Sequence, residues 1–272
     1  MSANPPLIAS YLRSQPQFDS RHLLRLMVDQ QQIGWLEPRI AQILQQFDAR
    51  FAIAAHTITL QLPPHALQTL MNAAALHLRE LGEIRVWRDE LYAVHPHVEC
   101  GAFGIDTANT LFTLERGAFR RFGLCSQAVH INGLTDRAGL PQIWLGQRAA
   151  TKGIDPNCLD NLAAGGIPHN ETPAQCVIRE LAEEAGISQH IAQQAVYIEQ
   201  IRSTRNEIDG THDEILYCYD LQLPAEVIPR NTDGEVAAFH RVSVAECAAR
   251  LPEMTWDAGL VTARLLARLA ST

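Results

Sequence analysis

The sequence predicts an α/β fold. A strand-rich C-terminal unit has one helix set among its strands and more at its end, and a smaller α+β unit precedes it. Three observations carry this reading. A length of 272 residues is enough for two hydrophobic cores. A hydrophobic content of 47% with 19% charged residues belongs to an ordinary globular chain. The turn formers Gly133, Asp136, Gly139 and Pro141 cluster, which marks a joint and divides the chain into residues 1–135 and 136–272.

In the first unit, Arg21–Gln31 and Trp35–Phe47 read as helices, and Thr57–Leu62 alternates as a strand. After Pro63 and Pro64, the residues Leu67, Leu70, Met71, Ala74, Leu78 and Leu81 fall at helical spacing, so His65–Leu81 is a helix. A strand pair follows at Glu83–Val86 and Glu90–Val94. In the second unit the order is strand Gln142–Gln147, a loop and helix, then strands Ala195–Arg202, Glu214–Leu223 and Glu235–Val242. Helices Val244–Leu251 and Asp257–Ala270 end it.

The stretch Gly165–Ile187 holds the chemistry. Thr172 is a good N-cap, Pro173 suits the first helical position, and Gln175 completes a capping box. Gly186 stops the helix where a left-handed residue is favoured. Val177, Ile178, Leu181 and Ala185 form an apolar stripe that can dock on a sheet. Glu180, Glu183 and Glu184 stand at i, i+3 and i+4 on one helix face, so three like charges repel one another. A hard divalent cation with oxygen ligands relieves that repulsion, and Mg2+ typically binds through carboxylates and substrate phosphates. Gly165 and Gly166 let the backbone approach a cation, with the Gly165 carbonyl as one ligand. Glu171 and Arg179 lie off the trio, where they can pair with each other or orient a ligand carboxylate. A solvated acidic face crossed by an Arg179–Glu183 pair is the bland alternative.

Gly165, Glu171, Arg179, Glu180, Leu181, Glu183, Glu184, Gly186 and Ile187 match every fixed place of G-x5-E-x7-R-E-U-x-E-E-x-G-U, where U is apolar. That is the Nudix box, and the chain resembles the Nudix hydrolases. The resemblance implies a mixed-sheet α/β/α sandwich that cleaves pyrophosphate bonds with Mg2+, or Mn2+ as an alternative. Leu159–Pro168, Tyr217–Pro224 and Asp233–Val244 resemble one subgroup, the Nudix domain fused to thiamine pyrophosphokinase in some fungi. Leu111–Leu134 is similar to the accessory domain that precedes the Nudix domain there. The subgroup implies thiamine diphosphate, or its oxidised and antagonist analogues oxothiamine and oxythiamine diphosphate, as substrate. The products are the monophosphate and phosphate. Another nucleoside diphosphate derivative, or a non-catalytic sensor, are the alternatives, although a sensor often loses box carboxylates and this chain keeps them.

Under that resemblance Gly165, Glu180, Glu183 and Glu184 hold the metal, and Glu180 or Glu235 is the general base. Glu235 also reads as a turn residue beside Asp233 and Gly234. Arg148 and Lys152 are cationic enough to contact a pyrophosphate. Trp144 and Tyr217 are available as walls for a cationic ring, and both are common core residues. His130 and Asn132, from the accessory side of the joint, either reach the site or form a hydrogen-bonded structural pair.

A net charge of −8 argues against nucleic acid as the main partner, while a divalent metal supplies local positive charge for a small diphosphate substrate. The subgroup leaves room for a homodimer. Cys100, Cys125, Cys158, Cys176, Cys218 and Cys247 are scattered without close pairs, which predicts reduced thiols in the cytoplasm. Cys176 falls in the box helix as a small buried residue. Neither a membrane span nor a secretory signal is expected.

Overall fold

A computed structural model describes residues 4–98 and 105–271. Cys100 lies outside the described residues. The chain opens with helix α1 (Pro5–Arg13), capped by Asn4. Strands β1 (Leu24–Val28) and β2 (Gln31–Leu36), helix α2 (Pro38–Phe47), strands β3 (Ala52–Ala54) and β4 (Thr57–Leu60) and helix α3 (Pro64–Glu80) follow. A sheet of order β2-β1-β4-β3 packs with α2 and α3 around one core, which includes Leu26, Ile33, Ile40, Leu44, Phe51 and Met71. Strand β5 (Leu91–Val94) pairs antiparallel with β6 (Phe112–Glu115), and α4 (Phe119–Phe122) closes this unit.

Three expectations for this unit are corrected. Arg21–Gln31 is not a helix but β1 and the turn into β2. Leu24, Leu26 and Val28 alternate inward with Leu26 and Val28 fully buried, and Asp29 takes the left-handed turn conformation (φ 52°). The helix expected from Trp35 begins only at Pro38, because the residue before a proline is pushed to extended backbone and Glu37 sits at ψ 141°. Glu83–Val86 is not a strand. Instead the Glu83 carbonyl accepts from Arg121 Nε at 3.1 Å, and β5 finds its partner in β6.

The larger sheet runs β7 (Ser126–Arg137), β8 (Leu140–Arg148), β9 (Leu159–Asp160), β10 (Ala163–Gly166), β11 (Val196–Glu207), β12 (Gly210–Gln222) and β13 (Val236–Ser243). Its order is β11-β12-β7-β8-β13, with β10 on β7 and β9 on β8. The β12–β7 pairing is parallel and the rest antiparallel, so the sheet is mixed. Helices α5 (Pro173–Glu183) and α6 (Gln189–Ala192) cover one face, and α7 (Val244–Arg250) and α8 (Trp256–Leu269) the other. This is the mixed α/β/α sandwich with an additional N-terminal unit.

The cluster Gly133–Pro141 is a hairpin inside this sheet rather than a joint. Asp136 Oδ1 accepts from Gly139 N at 2.8 Å, and Ala138 and Gly139 have positive φ. Strand β7 therefore carries Gly133 and its neighbours into the second unit. So does α1, whose Ile8 and Tyr11 bury into the core under α7 and α8. Tyr11 stacks on Trp256 at 6.5 Å between centroids, and its hydroxyl rests on Gly259, where a Cβ would collide.

Candidate active site

The box helix forms for the reasons its residues give. Thr172 caps α5 through Gln175 N, the reciprocal Gln175 bond is present, and Pro173 opens the helix. Cys176, Val177, Leu181 and Ala185 are buried against the sheet. Gly186, at φ 62°, turns the chain out; an added Cβ would meet the Arg230 carbonyl at 2.9 Å.

Docking this apolar stripe leaves the carboxylates at the edge of β10. Glu180 and Glu184 are buried, with 8% and 7% of their surface exposed, while the Glu183 side chain is half exposed. Glu184 Oε2 accepts from Ala164 N at 2.9 Å. The Glu180 carboxylate lies over the Cα of Gly165, where no Cβ fits. Arg179 ties the group together. Its guanidinium holds Glu171 at 2.8 and 3.0 Å, Glu180 at 2.6 Å and Glu183 at 3.1 Å, and donates to the Gly166 carbonyl at 3.2 Å. Burial raises Glu180, opposed by Arg179. Burial and the neighbouring Glu180 push Glu184 up to about 8.

The loop after β8 brings Lys152 across this face. Its Nζ contacts Glu184 Oε1 at 3.5 Å and makes a closer bond to Glu235, which stands just before β13. Burial raises the Glu235 carboxyl, but its bond to Lys152 outweighs this and holds it below the usual range. Glu235 thus joins Glu180 and Glu184 in one cluster. Arg148 plays a different part. It bonds Asp160 at 2.8 Å and the carbonyls of Ile154 and Asp155 at 2.9 and 3.1 Å, fixing the loop that carries Lys152.

A cavity of about 600 Å³ opens beside the cluster, with Ala164, Gly165, Gly166 and Arg148 on its floor. Its opposite wall comes from the N-terminal unit, including Arg88, Tyr92 and Arg116. Backbone bonding joins the two walls, since His169 N donates to the Leu91 carbonyl at 3.0 Å, linking the box loop to β5.

Trp144 and Tyr217, expected as ring walls, do not line this cavity. Strand alternation turns them to the α5 face, with Trp144 opposite Gly133 and Tyr217 beside Val129. Trp144 is buried beneath the box helix, and the Tyr217 hydroxyl is 2.8 Å from Gln127 Oε1. His130 and Asn132 belong to β7 rather than to the accessory unit. His130 Nδ1 lies 2.8 Å from Asn161 Oδ1, Asn161 donates to Asn132 at 3.0 Å, and His130 also faces the cavity. Arg88 and Tyr92 carry no signal in the sequence that marks them as site residues. Arg116 lies inside Leu111–Leu134, and its position in that segment is the one available signal.

The described residues fit a divalent cation by their chemistry. Two buried carboxylates side by side, a third close by and backbone oxygen are hard donors, and the burial of like charge calls for a cation.

The NUDIX domain family matches residues 127–265, and a domain of unknown function (DUF4743) matches residues 7–126. The chain belongs to the Nudix family. Nudix hydrolase 20, chloroplastic, of Arabidopsis thaliana is 32% identical over 234 residues, covering 82% of this chain and 60% of that protein. Nudix hydrolase 24, chloroplastic, of the same plant is 32% identical over 227 residues, with the same coverage of 82% and 60%. The uncharacterized protein YJR142W of Saccharomyces cerevisiae is 29% identical over 208 residues, covering 69% of this chain and 57% of that one. This Nudix chain thus spans about 60% of the length of the first two relatives. Among the described residues, no helix is long and apolar enough to cross a membrane.

Proposed function

We propose that this Nudix protein hydrolyses a pyrophosphate bond in a small diphosphate, with thiamine diphosphate or its oxidised and antagonist analogues as substrate. One observation carries the chemistry. Glu180 and Glu184 are buried directly behind Gly165 and Ala164, which line a cavity large enough for a small ligand, with Arg179 holding Glu180 and Lys152 bridging Glu184 to Glu235. The thiamine reading rests on the resemblance carried by the segments Leu111–Leu134, Leu159–Pro168, Tyr217–Pro224 and Asp233–Val244.

Glu180, Glu183, Glu184 and the Gly165 carbonyl would hold Mg2+. When bound, the ion would neutralise phosphate charge and polarise a water molecule. Arg179 holds the Glu180 carboxylate against Gly165, which lines the cavity. Lys152 keeps Glu235 ionised and able to accept a proton, so Glu235 is our choice of general base. Water adds to one phosphorus, the bridging P–O bond breaks, and monophosphate and phosphate leave. A reducing compartment, the cytoplasm in our reading, agrees with the buried free thiols of Cys125, Cys176, Cys218 and Cys247.

Phosphate release from thiamine, oxythiamine and nucleoside diphosphates, with Mg2+ or Mn2+, tests this. The expected result is fastest turnover of a thiamine-type diphosphate. Faster turnover of a nucleoside diphosphate derivative moves the substrate to that class, and no release from any of them defeats the catalytic reading.

A further inference from the structure

The N-terminal unit touches the box loop at Gly166 and His169. Arg116 follows β6 and donates to Glu90 Oε2 at 3.1 Å, while its guanidinium sits over the Tyr92 ring, 5.4 Å from the centroid. Tyr92 is buried, and its hydroxyl rests on the Cα of Gly166 with no hydrogen-bond partner among the described residues. A Cβ on Gly166 would strike that hydroxyl, so the box glycine is what lets the ring come down on the loop. Arg88 starts the same hairpin. Its backbone N is held by Glu115 Oε1 at 2.7 Å, and its residue is exposed to the cavity. No ion pair neutralises the Arg88 guanidinium among the described residues. The charges of both arginines reach the box: Arg88 and Arg116 act on Glu235, and Arg116 acts on Glu180.

Two guanidiniums therefore line the same cavity as Gly165 and Gly166, within electrostatic reach of the carboxylates packed behind that loop. A cation held by the box carboxylates would meet only some oxygens of a diphosphate, and the others would need donors from elsewhere in the cavity. Guanidinium forks match phosphate oxygens, and a charged donor in a partly closed site gives a strong hydrogen bond. Tyr92 fits as the surface that holds Arg116 in place.

We propose that the β5–β6 hairpin of the N-terminal unit is the anion-binding wall of the active site, with Arg88 and Arg116 gripping the diphosphate of the substrate and Tyr92 positioning Arg116. This rests on the hydrolase reading above and adds to it that the N-terminal unit is part of the site. Arg88 and Arg116 contact substrate in this scheme, while Tyr92 acts through Arg116.

Inorganic pyrophosphate binding to the full chain with Mg2+, followed by titration calorimetry, tests the wall without relying on turnover. Arg88→Ala and Arg116→Ala are each expected to weaken binding about tenfold or more, as loss of a charged hydrogen bond does. Arg88→Lys is expected to recover part of the loss. With any substrate that turns over, both alanine variants raise KM more than they lower kcat. Arg88 is exposed, so Arg88→Ala keeps the wild-type melting temperature even if Arg116→Ala fails to fold. A loss of about fivefold or more in either folded variant upholds the wall. Smaller changes in every folded variant overturn it, as does a wild-type chain that does not bind pyrophosphate. A chain that binds pyrophosphate through these arginines and hydrolyses nothing refutes the catalytic reading alone.

Discussion

The floor and the far wall of the cavity are built on opposite plans. The floor is one helix and its loop, where helical spacing brings Glu180, Glu183 and Glu184 together and Arg179 and Lys152 pair with them. The wall is a two-stranded hairpin whose Arg88 and Arg116 are far apart in sequence and meet through β5–β6 pairing. On the floor, Glu180 and Glu184 are buried, which is costly for charged groups; the wall's charge is exposed or shared with an aromatic face. Like charges concentrated on one element set the chemistry, while opposite charges on a second element can set the grip.

The largest effect expected is on the floor. Glu184→Gln is expected to lower the turnover of diphosphate by about 100-fold or more while the fold survives, because it would remove one of the carboxylates proposed to hold the metal. Steady-state assays across Mg2+ concentrations check this, and full activity in the variant would remove Glu184 from the metal site. Gly165→Ala comes next. Its Cβ displaces the Glu180 carboxylate, so kcat falls about tenfold and the Mg2+ requirement rises.

Gly166→Ala separates floor from wall. It pushes on the Tyr92 hydroxyl, so KM rises several-fold with a smaller change in kcat. If both glycine variants gave the same kinetic profile, the division between floor and wall would not hold.

A smaller effect is on stability. The Glu184 carboxyl titrates at about 8 when folded against an ordinary value of 4.5, so it favours the fold in its neutral form. That contribution is complete below the unfolded value and is lost as pH rises through about 8. Thermal melts of Mg2+-free protein are therefore expected to drop by several degrees between about pH 5 and pH 8. Mg2+ or Glu184→Gln should flatten the trend; a melting temperature that rises over that range contradicts it.

Tyr92→Phe should change least, within about 0.5 kcal/mol by denaturant titration, since it deletes a buried hydroxyl that has no hydrogen-bond partner among the described residues. A loss well above that value would mean the hydroxyl has a partner in the working protein.

What the sequence disclosed follows the range of the forces involved. The cap at Thr172, the stop at Gly186 and the carboxylate trio act within a few residues, and all are readable without a fold. The strands β8, β11, β12 and β13 and helices α7 and α8 fall close to their expected places, because each has its own period and turn signals. In contrast, Leu23, Leu24, Leu26 and Met27 suit helix and strand spacing equally, and pairing with β2 and β4 decides for strand. Trp144 and Tyr217 depart from expectation because a strand's two faces cannot be told apart until both layers are known. Arg88 and Arg116 have no local signature. Their use depends on which hairpin the topology sets against the box.

Helix α1 has one further effect. The polypeptide passes through the large domain first, leaves it to build the smaller unit, and returns at β7, so both strands of connection anchor that smaller unit. A minimal catalytic fragment begun at residue 127 would strip Ile8 and Tyr11 from the α7–α8 surface and leave that greasy patch bare. Such a fragment should come out of cells aggregated, and adding residues 5–13 back as a peptide should rescue part of it.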